Sequence, residues 1–217
     1  MTADRIFRIV AIVLLMAGSV DVYGADTVAL PRPRIRGQFM KSLKNHVTIK
    51  GFSTKDLTDQ VLADVLWAGF GVSDQKTGRR TAQSAFNMQE MDIYVLSASG
   101  AYRYDAHTHA LKTISGSDLR DIVATQPYAA NAPVHLLYVA DYGRAEKRVP
   151  DSYRERIPSW AMMHTGFIAQ NVFIYCSING MTSVVREVSG VDRLREALRL
   201  RDDQSLIMSQ AIGYSPR

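Results

Sequence analysis

The run from Trp160 to Gly180, WAMMHTGFIAQNVFIYCSING, restricts the folds open to this chain more than any other stretch. Trp160, Met163, Phe167, Ile168, Val172, Phe173, Tyr175 and Cys176 make it apolar almost all round on a helical projection. At ~1.5 Å rise per residue, such a helix is about 30 Å long and must be buried on several sides. In a chain of 217 residues it is either the centre of a domain or the floor of a dimer.

The rest of the composition suits one globular domain. Hydrophobic residues make up 47% and charged residues 22%, which argues against disorder. The net charge of +5 is spread among interleaved acids and bases. Arg32, Arg34 and Arg36 form the compact basic cluster outside the Gly78 loop. No nucleic-acid motif is visible, and no aromatics are set among the charges for stacking. Anion binding at one site accounts for the excess as well, so no nucleic-acid partner is expected. Cys176 is the single cysteine, so it forms no intrachain disulfide and reads as a small buried hydrophobe.

Residues 1–25 have the layout of a secretory signal. Arg5 and Arg8 flank the start of the apolar run Ile9 to Ala17, and small residues follow, with Val22 and Gly24 or Tyr23 and Ala25 offering cleavage geometry. The run is short against the ~20 apolar residues a bilayer needs. The expectation is a secreted or periplasmic protein with its folded domain over 26–217 and no stable membrane insertion after cleavage. An uncleaved anchor is the alternative.

Along the chain, Gly37 to His46 carries Phe39, Met40 and Leu43 at helical spacing. Ser53 to Gly71 is the clearest helix signal, with Thr58 able to cap it and Val61, Leu62, Val65, Leu66 and Phe70 as its stripe. Met91 to Leu96 and Ala101 to Asp105 flank a Ser-Ala-Ser-Gly turn, a hairpin signal, and Leu111 to Ile114 can add a third strand. Asp118 to Thr125 is a short helix, and Val134 to Ala140 is apolar enough for a central strand. Tyr142 to Ser159, with eight charged residues, reads as a long excursion or mobile cover. Thr182 to Val188 and Leu206 to Gly213 close the chain as strands around a helix at Val191 to Leu200. Helices and strands without a strict βαβ rhythm give an α+β domain. His107 and His109 lie two apart but lack a nearby third ligand, so no metal site is expected.

Polar chemistry gathers in Gly78 to Val95, GRRTAQSAFNMQEMDIYV, where Arg79, Arg80, Thr81, Ser84, Asn87 and Gln89 precede a buried strand. This string resembles the R-T-A-P-S-A-x-N-x-Q-E-x-D-x-Y-V signature of a secreted, SagB-type branch of the nitroreductase-like flavoprotein family. LADVLWAGFGV, QPYAANAPVHLLYVADY and TGFIAQNVFIYCSINGMTSVVR match that branch in the same order. The resemblance implies a mainly antiparallel central sheet flanked by helices, with a long buried central helix. It also implies two intertwined chains that bury flavin mononucleotide (FMN) at their interface.

The family's basic-hydroxyl motif after the first helix falls on His46, Val47, Thr48, Ile49 and Lys50. By resemblance, Thr48 supplies the hydroxyl and Lys50 a cation to the phosphate and ribityl end. His46 replaces an Arg, and Val47 cannot donate. Ser84 and Asn87 match the family's Pro-Ser-Ala-x-Asn, with Asn87 expected to hydrogen-bond the flavin ring edge. Gln83 stands where the Pro would be, and Glu90 where some relatives hold a Lys near the flavin. Gln170, Asn171 and Cys176 are expected in the core.

Two functions follow. The first is a homodimeric FMN-dependent oxidoreductase passing two electrons between a small-molecule donor and acceptor. The second is a non-catalytic periplasmic binding or scaffold protein that kept the fold with a degenerate flavin site.

Overall fold

The computed structural model describes residues 30–47 and 51–216. The proposed signal segment 1–25 and the site candidates Thr48 and Lys50 lie outside them. From Ile35 onward the chain is one compact unit.

Six antiparallel strands form the main sheet, in the order β5-β4-β3-β6-β8-β7. They are β3 (Met91–Ser97), β4 (Gly100–Asp105), β5 (Ala110–Ser115), β6 (Val134–Asp141), β7 (Met181–Arg186) and β8 (Gln204–Tyr214). Two short strands, β1 (Val72–Asp74) and β2 (Arg79–Arg80), pair separately. The helices are α1 (Gly37–Lys44), α2 (Asp59–Phe70), α3 (Arg120–Val123), α4 (Tyr142–Glu146), α5 (Ile157–Ile178) and α6 (Val191–Ala197). The α+β class and the mainly antiparallel sheet are as the sequence implied.

Both faces of the sheet are covered, so its central strands β3 and β6 are buried along almost their whole length and mostly apolar, with Asp92 and His135 among the exceptions. Met91, Ile93 and Val95 of β3, with Leu136, Tyr138 and Ala140 of β6, pack against α2 and α5. The alternate residues Tyr94, Leu96, Leu137 and Val139 pack against α3 and α6 through Leu119, Val123, Leu194 and Leu198. Two-residue alternation places each set on its own face. A polar chain crosses the first layer. Tyr138 donates its hydroxyl to Gln210 Oε1, and Gln210 Nε2 donates to the Ala169 carbonyl at 3.2 Å and Ser183 Oγ at 3.1 Å.

Helix α5 is the predicted long element, buried along Ile157, Ala161, His164, Thr165, Ile168, Ala169, Val172 and Cys176. A Cβ on Gly69 of α2 would come within 3.0 Å of Val172, so glycine lets the two helices approach closely. Helix α2 is capped by Thr58, whose hydroxyl accepts the Val61 N–H at 3.3 Å. It begins at Asp59 rather than Ser53, because the cap lies six residues into the predicted span.

The expected mobile cover at Tyr142 to Ser159 is corrected. It folds as α4 and a 3-10 turn at Asp151–Arg156. Ala145 and Val149 sit four residues apart and join Ile157 and Met88 in a small core of their own. Most of its charges are exposed, while Arg144 turns inward to Asp92 and Asp141.

Candidate functional site

The Gln83–Gln89 turn is built under strain. Phe86, Asn87 and Gln89 all have positive φ, at 51°, 49° and 47°. For side chains with a Cβ this costs roughly 1–2 kcal/mol each. The surrounding bonds over-determine the turn. Ser84 Oγ accepts the Gln89 N–H at 3.1 Å, and Gln89 Nε2 donates to Asn87 Oδ1 at 2.8 Å and to the Gly78 carbonyl at 3.0 Å. Arg148 donates to the Asn87 carbonyl at 2.9 Å. Underneath, the Ala85 N–H donates to His164 Nε2 at 3.0 Å, and Met88 is wholly buried. Asn87 itself is exposed at the crest. Beside it the ring of Phe86 meets Tyr153 and Trp160 at 5.5 and 5.7 Å.

Glu90, placed by resemblance where some relatives hold a cation near the flavin, is instead fully buried. It accepts from His164 Nδ1 at 2.7 Å. Arg80 is equally tied to the turn, donating from Nε to Gln89 Oε1 at 2.9 Å. Burial lowers its pKa. His107 and His109 part company, one beside Arg80 and the other bonded to the Tyr104 hydroxyl.

A second feature lies where α1, α5 and β7 meet. His46, just past α1, stacks on Phe173 of α5 with ring centroids 4.1 Å apart. Together they open onto a pocket of about 300 Å³ whose walls include Gly166, Ala169, Val184 and Met208. Its polar members besides His46 are Gln170 and Ser183. Gln170, expected in the core, is exposed here because it faces out of α5 beside Phe173. Cys176 is buried as expected, and burial pushes its thiol up to about 12.

Gly166 explains the pocket's shape. A Cβ built there meets no protein atom within 4 Å, so nothing in the chain itself requires glycine. A mid-helix glycine costs about 1 kcal/mol against alanine. The missing side chain leaves bare backbone beside Phe173 and Ala169. A mostly apolar bed with a few polar groups suits a planar heterocycle. On this test the residues present fit a flavin ring.

The sequence candidates therefore fall into two groups. His46 lines the pocket, whereas Ser84 and Asn87 belong to the turn over the start of α5. The turn is bonded to His164, whereas His46 stacks on Phe173, nine positions further along α5, although the pocket itself reaches back to Gly166. Nine positions along a helix span about 14 Å. One chain does not bring these groups together. His164 and Gly166 escaped the sequence reading because each looks like an unremarked residue of an apolar helix.

Comparison with known proteins matches this architecture. The family model described as Nitroreductase family covers residues 43–214. A crystal structure of a candidate nitroreductase from Ralstonia eutropha is 32% identical and superimposes with a TM-score of 0.75. The match covers 89% of this chain and 92% of that one. A candidate nitroreductase of Methanocaldococcus jannaschii is 26% identical over 84% of this chain and 96% of its own length. The NADPH:FMN oxidoreductase of Vibrio harveyi, at 18% identity, shares the fold with a TM-score of 0.59, over 83% of this chain and 70% of its own.

Proposed function

The chain belongs to the nitroreductase family, and from that premise we propose a homodimeric oxidoreductase dependent on FMN. The flavin, when bound, supplies two-electron hydride chemistry between a small-molecule donor and acceptor. The chain's own residues bind and orient it. Gly166, Ala169 and Phe173 offer the bed for the ring, Gln170 and Ser183 offer hydrogen bonds at its rim, and His46 lies toward the phosphate end. Thr48 and Lys50 complete that end in this reading. Asn87 and Ser84 come from the partner chain and fix the ring edge.

The separation of His46, on Phe173, from the Asn87 turn, on His164, carries this reading, because a second copy can complete what one chain leaves apart. Exposed apolar residues support the pairing. Phe39, Leu43 and Val47 are spaced by four on and just past α1, and Met162 and Met163 stand out from α5. Two buried half-sites of this kind require an interface of obligate size, ~2,000 Å² or more.

The exported, SagB-type assignment belongs to the same proposal. It rests on the Arg5–Ala17 pattern and the Gly78–Val95 string. Among the described residues no helix is long and apolar enough to cross a membrane. N-terminal sequencing of protein from the periplasm should begin near Asp26. Met1 retained on cytoplasmic material would refute export.

One observation favours the scaffold reading. Val47, standing where a phosphate donor is expected, is 61% exposed and cannot hydrogen-bond through its side chain. An absorption spectrum of the purified protein, followed by calorimetric titration with FMN, separates the two. The oxidoreductase reading requires a yellow protein, or saturable binding of one flavin per chain in a dimer by sedimentation. Absence of binding at high micromolar flavin would make the scaffold the better reading.

A further inference from the structure

A second pocket, of about 240 Å³, lies between the start of β3, the end of β4 and α4, and shares no lining residue with the His46 pocket. Its lining carries four guanidiniums against three carboxylates. Three carboxylates line it, and each has a cationic partner. Asp92 is held by Arg144 at 2.6 Å, Asp105 by Lys112 at 2.5 Å and Asp141 by Arg201 at 2.9 Å. Three further guanidiniums, those of Arg80, Arg103 and Arg148, also line the pocket, and none has a carboxylate partner among the described residues.

The bonds that these arginines do make are to neutral groups. Arg80 donates to Gln89 Oε1 and to the Phe70 carbonyl, and it sits 3.2 Å from His107 Nε2. Arg148 donates one N–H to the Asn87 carbonyl. Arg80 and Arg103 are half-buried and Arg148 is exposed at the rim, and like charges around so small a space repel one another. Guanidinium forks match tetrahedral oxyanions in both charge and geometry.

We propose that this pocket binds the phosphate group of a small molecule between Arg80, Arg103 and Arg148. A phosphate carries close to two negative charges and several acceptor oxygens, enough to engage all three forks. The site stands independently of the flavin reading, since it rests on residues outside that pocket. Its occupant would also brace the strained turn. Arg80 reaches Asn87 through Gln89, and Arg148 reaches it directly through the carbonyl. Anchoring both arginines would restrict Asn87 without touching it.

The test is calorimetric titration of the full chain with orthophosphate and, separately, glycerol 3-phosphate, with ionic strength held constant by sodium chloride. The expected result is saturable binding of one ion per chain, accompanied by a rise in the unfolding temperature. Arg103→Gln and Arg148→Gln should each weaken it roughly tenfold, the effect of one lost charge-assisted hydrogen bond. Arg103→Lys, which keeps the charge without the fork, should fall between, and the exposed control Arg193→Gln should bind as the parent does. Tighter binding of the ester than of orthophosphate identifies an esterified ligand, and equal binding identifies the free ion. The proposal is overturned if neither probe binds saturably at millimolar concentrations. It is overturned equally if the Arg103→Gln/Arg148→Gln double variant, folded by circular dichroism, binds with undiminished affinity.

Discussion

The Nε2 atom of His164 accepts the backbone N–H of Ala85 at 3.0 Å, joining residues 79 positions apart. Because that nitrogen accepts, the ring's proton sits on Nδ1, from which it is donated to Glu90 Oε1 at 2.7 Å. One neutral imidazole thus ties the strained turn to the central helix and to the first residues before β3. The second oxygen of Glu90 has no partner among the described residues.

Removing the imidazole should therefore be costly in a specific way. His164→Phe removes the donor to the buried Glu90 carboxylate, and losing a hydrogen bond to a charged group costs about 1.5–3 kcal/mol. Removing both charge and ring, in His164→Phe/Glu90→Leu, should recover much of that loss. Urea unfolding of the three proteins measures it. A double variant as unstable as the single would show that the pair contributes nothing beyond packing.

Acid sensitivity should come largely from His135. Its ring is fully buried on β6, and neither nitrogen has a hydrogen-bond partner among the described residues. Burial first, then the nearby Arg186 and Arg120 charges, pulls its pKa from 6.5 to about 4. The unfolded chain therefore binds a proton between those values while the folded chain does not. The contribution is present above pH 6.5 and is lost as the pH falls through 4, about 3 kcal/mol in all. Denaturant midpoints across this window should slope downward toward acid in the parent. In His135→Leu the slope should be much flatter.

Gly166 separates folding from binding. Gly166→Ala should stabilise the protein by up to about 1 kcal/mol through helix propensity, since no protein atom opposes the new methyl. Gly166→Leu should fold as well as the parent but fill the pocket, weakening FMN binding roughly tenfold or more, about 1.4 kcal/mol. Flavin fluorescence titration beside thermal unfolding reads both effects. A Leu variant that binds flavin normally would remove the pocket from the cofactor site.

His46→Arg should tighten FMN binding. A guanidinium can keep the stacking on Phe173 while adding a permanent charge and a two-pronged donor. One charge-assisted hydrogen bond is worth about 1.5–3 kcal/mol. His46→Gln should bind no better than the parent, and an equal gain in both variants would exclude charge as the cause.

Much of the fold was legible because it follows local periodicity. The Ser-Ala-Ser-Gly turn between two strand-forming runs marks the β3–β4 hairpin, and an apolar stretch without charges marks α5. The α4 region was obscured by its charges, although Ala145 and Val149 at a spacing of four carried the amphipathic signal. The site was less readable for a different reason. His164 acquires its role only from Ala85 and Glu90, more than seventy positions away. The same holds for Arg80, Arg103 and Arg148, which scattered segments of chain bring to one pocket. No spacing rule connects such residues before the sheet has formed.

The strand order has a consequence for how the molecule is made. β8 lies between β6 and β7 and pairs with both. It is the last of the eight strands to leave the ribosome. Until Gln204 to Tyr214 has emerged, β6 has one open edge and β7 has no neighbour, and unpaired edges invite pairing with other chains. Completion of the sheet must therefore wait for β8. A chain stopped before Gln204 leaves one edge of β6 and both edges of β7 unpaired and open to aggregation.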